Sequence, residues 1–361
     1  MRPTFFQSLL RIHENNAKKK TYEAPPEKVE LLKTCASLDN GPSIFRSIMN
    51  AGNPLCYPSL IDVLGLFSFI KIPLDRLLEI CGPLRPRKFS VVDYKNIGES
   101  TELQLCFRKV MADREANMKA SQCDGAPKLL AETLNKIALD RAAAHKAQPC
   151  FTGLVSYKMS AVQTNMSLKL YGRTSPFGTT TFARELMKAV QASAQGNGGK
   201  LILIGAGTGV APLIAAVNEL CRLRSQHSAS PPFNCTLLYG ARTMRELVFN
   251  ERANQALREG AIADYKFALS RESSNHPDPV EKYVTDILQK GRDTFRQDLL
   301  INSPPAKLFA CGPANVLKSL RNVLEDVLGE ADDDDSVRQQ RILFMEDSQI
   351  FFDVWSNTGV L

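Results

Sequence analysis

The chain is poor in the side chains that build metal centres. Its four histidines, His13, His145, His227 and His276, stand far apart, so no His-based zinc site can be read from it. Its nine cysteines contain no CxxC pair, and an odd, unpatterned set of thiols reads as the reduced side chains of a cytoplasmic protein rather than a disulfide framework. Long hydrophobic runs are missing too. The longest apolar stretch, Leu60–Ile70, contains Asp62 and falls short of the roughly 18 apolar residues of a spanning helix. Basic residues never gather into a block longer than Lys18–Lys20, which excludes an obvious nucleic-acid surface. Tryptophan occurs once, at Trp355.

What is present is ordinary for a globular protein. The 361 residues are 44% hydrophobic and 23% charged, enough for two domains with real cores. The net charge of +7 favours acidic ligands, either phosphates or an acidic protein partner. The opening MRPTFFQSLLRIH is basic and free of acids, as a transit peptide is, but lacks the apolar region a secretory signal needs.

Residues 28–82 carry helical periodicity. Val29, Leu31, Leu32 and Cys35 make one apolar face and Leu60, Val63, Leu64 and Phe67 another, with breaks at Pro54, Pro58 and Pro73. Short β-like runs follow at Phe89–Val92, Leu103–Phe107 and Gly153–Met159. Between the last two lies an Ala/Lys/Asp-rich insert, about 113–149, and 178–200 reads as a linker ending in Gly-Asn-Gly-Gly. From Lys200 the pattern changes. The apolar strand Leu201–Ile204 meets a glycine-rich turn, and a helix with Leu213, Ile214, Val217 and Leu220 on one face follows. Strands are expected at Thr236–Tyr239, Tyr265–Leu269 and Lys307–Ala310, and a helix over Val316–Leu328. This alternation predicts a doubly wound parallel sheet. The acidic run Asp332–Asp335 reads as a solvated loop before a last helix.

Several segments carry chemistry. Gly205-Ala-Gly-Thr-Gly-Val-Ala-Pro212 lies between strand and helix, where glycines let backbone amides approach a pyrophosphate and the helix N-terminus adds partial positive charge. Cys311-Gly-Pro-Ala-Asn315 ends a strand, at the edge of the crevice where such sheets bind ligands; alone, Cys311 would read as a buried structural thiol. Ser270-Arg271-Glu272 closes the preceding strand, and Lys282-Tyr283 follows. Arg and Lys suit a phosphate dianion through charge-assisted hydrogen bonds, and a tyrosine face suits adenine. Arg87-Lys-Phe-Ser90, Gly153-Leu-Val-Ser156 and a late Asp353-Val-Trp355-Ser356 complete the series.

In this order the segments resemble the diflavin reductases of the ferredoxin–NADP reductase superfamily, in their FAD- and NADPH-binding part. The resemblance implies a helical connecting region and a partial antiparallel FAD-binding β-barrel over residues 1–177, then a doubly wound NADP(H)-binding α/β domain over 178–361. It implies NADPH contacts from Gly207, Thr208, Gly209, Ser270, Arg271, Lys282 and Tyr283, and FAD contacts from Arg87, Phe89, Ser90, Cys106, Gly153, Leu154, Val155, Ser156 and Trp355. Ser90, Cys311, Asp353 and Trp355 are the implied catalytic group: Trp355 covers the flavin and moves aside for nicotinamide, and the other three orient hydride transfer. The chain departs from the pattern where Phe89 replaces a tyrosine, Ser156 a threonine and Glu281 a lysine. Five residues follow Ser356.

No flavodoxin-like segment precedes the FAD-type motifs, and three strand signals stand where the family barrel has six, so the sequence reads as a truncated or degenerate member or an incomplete gene model. Met1–Asn16 then reads as an internal helix. The implied activity is hydride transfer from NADPH to FAD, with electrons passed to a separate FMN or iron–sulfur acceptor, an anamorsin-type protein of cytosolic iron–sulfur assembly among them. Two rivals stand beside it. One is an NADPH-binding module that cannot hold FAD. The other is a plain dehydrogenase, for which no separate acid/base pair is found.

Overall fold

The computed structural model of the chain describes residues 3–19, 21–39, 60–81, 89–107, 109, 111–113, 150–152, 158–163, 181–226, 231–275, 277–330, 332–346 and 348–355. The chain divides into two compact units, Met1–Arg87 with Lys109–Met166, and Lys88–Arg108 with Ser167–Leu361.

The first unit is mainly helical. Helices α1 (Pro3–Ala17), α2 (Pro26–Ala36), α3 (Leu60–Leu66) and α4 (Leu74–Cys81) form it, with β3 (Met111–Asp113) paired antiparallel to β4 (Cys150–Thr152). Phe5, Phe6 and Leu9 of α1 close on Leu31, Leu32 and Cys35 of α2 and on Val63, Leu66 and Phe67. These are the i, i+3, i+4 rows the periodicity predicts. Pro26 occupies the first turn of α2, where its missing N–H is no loss. Strand β4 lies before the expected run at Gly153, and Lys158–Ser160 is helical where the run was expected to end.

The second unit is built on a five-stranded, all-parallel sheet of order β7–β6–β5–β8–β9, with β5 (Leu201–Ala206), β6 (Cys235–Ala241), β7 (Asp264–Leu269), β8 (Lys307–Pro313) and β9 (Ile350–Trp355). Its inner strands are covered on both faces and read as continuous apolar runs. Alternation sorts them: Leu201, Leu203, Phe309, Cys311 and Phe351 join one core, Ile202, Ile204, Leu308, Ala310 and Ile350 the other. Helices α5 (Thr181–Ala194), α6 (Ala211–Gln226) and α7 (Asn250–Arg258) contribute to the first core. Helices α8 (Val284–Lys290), α9 (Arg292–Arg296), α10 (Ala314–Leu328) and α11 (Asp335–Met345) contribute to the second. Asp334, from the acidic run, caps α11 by accepting from the Val337 N–H at 2.8 Å.

The expected linker over 178–200 is largely the helix α5. Phe182, Leu186, Ala189, Val190 and Ser193 are buried at helical spacing, and Phe182 packs edge-on against Phe309, which stacks on Phe351. A buried stripe outweighs the β-branched threonines ahead of it and the glycines behind it. The antiparallel hairpin of β1 (Val91–Ile97) and β2 (Ser100–Leu105) belongs to this unit. Val92 is its buried anchor in the first core, and its carbonyl accepts from Asn218 Nδ2 of α6 at 3.2 Å.

Candidate functional site

The strand order reverses between β5 and β8, and their C-terminal ends border the crevice where open parallel sheets take ligands. The glycine-rich turn leaves β5 there as a short 3-10 turn, Gly207–Val210, and runs into α6. Its glycines do separate work. Gly207 has φ of +57° and open space where a Cβ would stand, so only glycine adopts this backbone cheaply and its outer side stays clear. Gly209 is pressed against β8, where an added Cβ would lie 2.5 Å from the Cys311 carbonyl oxygen. Thr208 lies between them. The turn therefore offers backbone amides and a helix N-terminus at the switch point, a cradle for a pyrophosphate.

Across the crevice, Cys311 is fully buried on β8 and is the register partner of Asp353 on β9. Its Sγ lies 3.6 Å from Asp353 Oδ2. Parallel pairing puts both on the face that carries the hairpin. Trp355 is in register with Pro313 at the end of β9.

The ends of β6 and β7 make the other half of the site. The Ser270 N–H donates to the Ala241 carbonyl at 3.0 Å and the Arg271 N–H to the Arg242 carbonyl at 2.9 Å. Arg271 is exposed. Lys282 Nζ stands 5.4 Å from the centroid of the half-exposed Tyr283 ring. Tyr283 is the N-cap of α8, its N–H donating to Asp286 Oδ2 at 2.9 Å. Glu281, where the resemblance expects lysine, pairs with Lys290.

On the hairpin, Cys106 packs against the first core, and burial pushes its thiol pKa up. Tyr239 of β6 is buried, which raises its phenol pKa, with Cys106 adding to the shift. Phe89 meets Phe107 edge-on at 6.3 Å, and Ser90, half-buried, adjoins β1. The structure thus brings Cys311 and Asp353 into contact, and gathers Ser270, Arg271, Lys282 and Tyr283 at the ends of β6 and β7. Phe89, Ser90 and Cys106 ride on the hairpin. Arg87 and Gly153, Leu154, Val155 and Ser156 lie outside the described residues. Sequence reasoning missed β9 as a strand and the exposed Arg245, whose turn is tied to the Arg271 turn through Glu272 and the Met244 amide. The first was legible in the apolar Ile350-Phe-Phe352 run, the second had no local signal.

Residues 203–322 match the family described as oxidoreductase NAD-binding domain. The chain is also similar to reductases of the kind its motifs resemble. Methionine synthase reductase of Mus musculus is 27% identical over 163 residues, 43% of this chain and 23% of that protein. NADPH–cytochrome P450 reductase of Homo sapiens is 32% identical over 132 residues, 36% of this chain and 18% of that protein. The nitric oxide synthase-like protein of Bombyx mori is 28% identical over 160 residues, 44% and 14% of the two chains. The match covers less than a quarter of the length of each relative.

Proposed function

We propose that the chain is an NADPH-dependent oxidoreductase of the diflavin reductase type, using FAD as its flavin. The observation that carries this reading is the Gly207–Gly209 turn set beside the Cys311–Asp353 pair at the switch point of the sheet. The fit to a dinucleotide is local: the Gly207 side of the turn is open, the Gly209 side is closed by β8, and the exposed Arg271 stands at the end of β7.

The turn amides of Gly207, Thr208 and Gly209 and the N-terminus of α6 hold the pyrophosphate. Ser270, Arg271 and Lys282 hold the 2′-phosphate and Tyr283 faces the adenine. NADPH supplies a hydride and FAD accepts it, so that electrons can leave singly. Cys311, fixed by Asp353, keeps the nicotinamide side of the crevice in register; the Asp353 carboxylate stabilises positive charge that develops there, and the Ser90 hydroxyl supports the flavin side. Phe89, Cys106 and Trp355 line the flavin, and Arg87 with Gly153–Ser156 holds its phosphates. None of the six described cysteines is in a disulfide, which supports a cytoplasmic setting. The electron acceptor in this reading is a separate FMN or iron–sulfur protein, as in cytosolic iron–sulfur assembly, where an anamorsin-type partner is one case. Phenylalanine in Pro86-Arg-Lys-Phe-Ser90 and the net positive charge support that branch and an acidic partner.

A second reading, an NADPH-binding module without flavin, is favoured by the β1–β2 and β3–β4 ladders being two-stranded and separate among the described residues. One experiment divides the two. The chain is incubated with FAD, desalted and reduced anaerobically with NADPH. A retained flavin band that bleaches supports the oxidoreductase; a folded protein that binds NADPH and retains no flavin supports the module.

A further inference from the structure

We infer that Arg245 is a specificity-determining residue that joins Arg271 in holding the 2′-phosphate of NADPH, with Glu272 as the positioning residue that brings its turn there. The inference rests on the NADPH reading above and deepens it.

A phosphate monoester carries close to two negative charges and is best held by more than one cation. The cations at the ends of β6 and β7 are not equally available. Arg242 is ion-paired with Glu246, its Nε 2.9 Å from Oε2. Lys282 has its head over the Tyr283 ring. Position 281 is an acid, paired with Lys290. Arg271 and Arg245 are both exposed, and among the described residues neither has an ion-pair partner.

The two turns that carry them are tied together. Glu272 Oε2 accepts from the Met244 N–H at 2.7 Å, and the Arg271 N–H donates to the Arg242 carbonyl at 2.9 Å. Arg245 directly follows Met244 and Arg271 directly precedes Glu272, so the two arginines are neighbours in sequence of the two ends of a hydrogen bond that ties their turns together. The Arg245 turn is fixed from below as well. It is a 3-10 turn closed by Glu246 N–H to Thr243 O at 3.0 Å and Leu247 N–H to Met244 O at 3.1 Å, with Leu247 buried. The carboxylates on these turns are engaged: Glu246 by Arg242 and Glu272 by the Met244 amide. Neither guanidinium is ion-paired to a carboxylate among the described residues, so both are available to a dianion that docks where the two turns meet. Arg245 thus supplies the charge that Glu281 withholds.

The test compares binding of 2′,5′-ADP and 5′-ADP to the full chain by calorimetry. Arg245→Ala is expected to weaken 2′,5′-ADP by roughly tenfold and to leave 5′-ADP unchanged, while Arg245→Lys keeps most of the preference. Glu272→Gln is expected to lower the same ratio by a smaller factor, and Arg271→Ala to lower it most. An Arg245→Ala protein with a wild-type ratio, beside an Arg271→Ala protein that has lost it, overturns the inference and leaves the NADPH reading standing; Arg245 then faces water or an acidic protein. A wild-type chain that binds 2′,5′-ADP no better than 5′-ADP overturns both.

Discussion

Cys311 and Asp353 stand side by side on neighbouring parallel strands, with thiol sulfur and carboxylate oxygen 3.6 Å apart. Cys311 is sealed in the core, whereas Asp353 is only partly covered. The carboxylate therefore has one oxygen beside the thiol and keeps part of its surface exposed. Asp353→Asn keeps its size and removes its charge. The rate of flavin reduction by NADPH is expected to fall by about ten- to a hundredfold, with NADP⁺ affinity little changed. Stopped-flow absorbance of the flavin checks the rate. A variant that reduces flavin at the wild-type rate removes Asp353 from the hydride step.

The two glycines of the turn are expected to separate stability from binding. Gly209→Ala drives a Cβ into the β8 backbone at 2.5 Å, so β8 or the turn must move and both stability and NADP⁺ binding fall. Gly207→Ala meets open space but must hold φ of +57°, a cost of about 1–2 kcal/mol. Its fold survives, while the methyl stands where the pyrophosphate would approach. Urea unfolding together with NADP⁺ titration of both proteins gives the comparison.

The parallel sheet was legible because buried parallel strands are short apolar runs and because its turns carry glycine in a fixed order. Other elements hid for identifiable reasons. Helix α5 is flanked by Gly-Thr-Thr-Thr and Gly-Asn-Gly-Gly, which read as loop, and its stripe shows only once Phe182 meets Phe309. A β-like run is expected at Phe89–Val92, whereas the first strand of the hairpin forms over Val91–Ile97 and pairs with Ser100–Leu105. Its residues are mostly exposed and carry little apolar alternation, so turn position and not burial sets its extent. Asp353 and Trp355 were found as a motif without being recognised as the edge of a sheet. Arg245 could not be singled out, since its turn meets the Arg271 turn only in space, through the Met244 N–H to Glu272 hydrogen bond.

The first unit is expected to lose stability on mild acidification. His13 is buried, with Nδ1 2.8 Å from the Tyr22 hydroxyl and Phe69 edge-on to its ring. Burial holds its pKa below the ordinary value of 6.5; Lys33 adds to that lowering and Glu14 opposes it. The unfolded chain therefore takes up a proton on this ring before the folded one does. Stability is fully present above the unfolded pKa of 6.5 and declines as pH falls through the lowered folded value. Denaturant midpoints at pH 7.5 and pH 5.5 measure the loss. His13→Gln should lower the midpoint at both pH values and shrink the difference between them; an undiminished difference places the titration elsewhere.

Lys200 and Asp298 form an ion pair that staples the start of β5 to the segment before β8. Lys200 Nζ lies 2.8 Å from Asp298 Oδ2, and Asn302 Nδ2 donates to Oδ1 at 3.1 Å. Asp298 is 7% exposed. A half-removed buried pair costs more than a fully removed one, because the survivor keeps its charge without a partner. Lys200 has a short route to water, with 19% of its side chain exposed, which moderates the loss. Asp298→Ala is expected to destabilise by about 1–3 kcal/mol. Adding Lys200→Met to it should cost less than Lys200→Met costs in the wild-type chain, since the methionine buries the same stem and leaves no unpaired head. A double-mutant cycle in urea, with unchanged m-values, measures that coupling. Strict additivity would show that the pair is solvated and that Asn302 and the backbone alone hold this end of the sheet together.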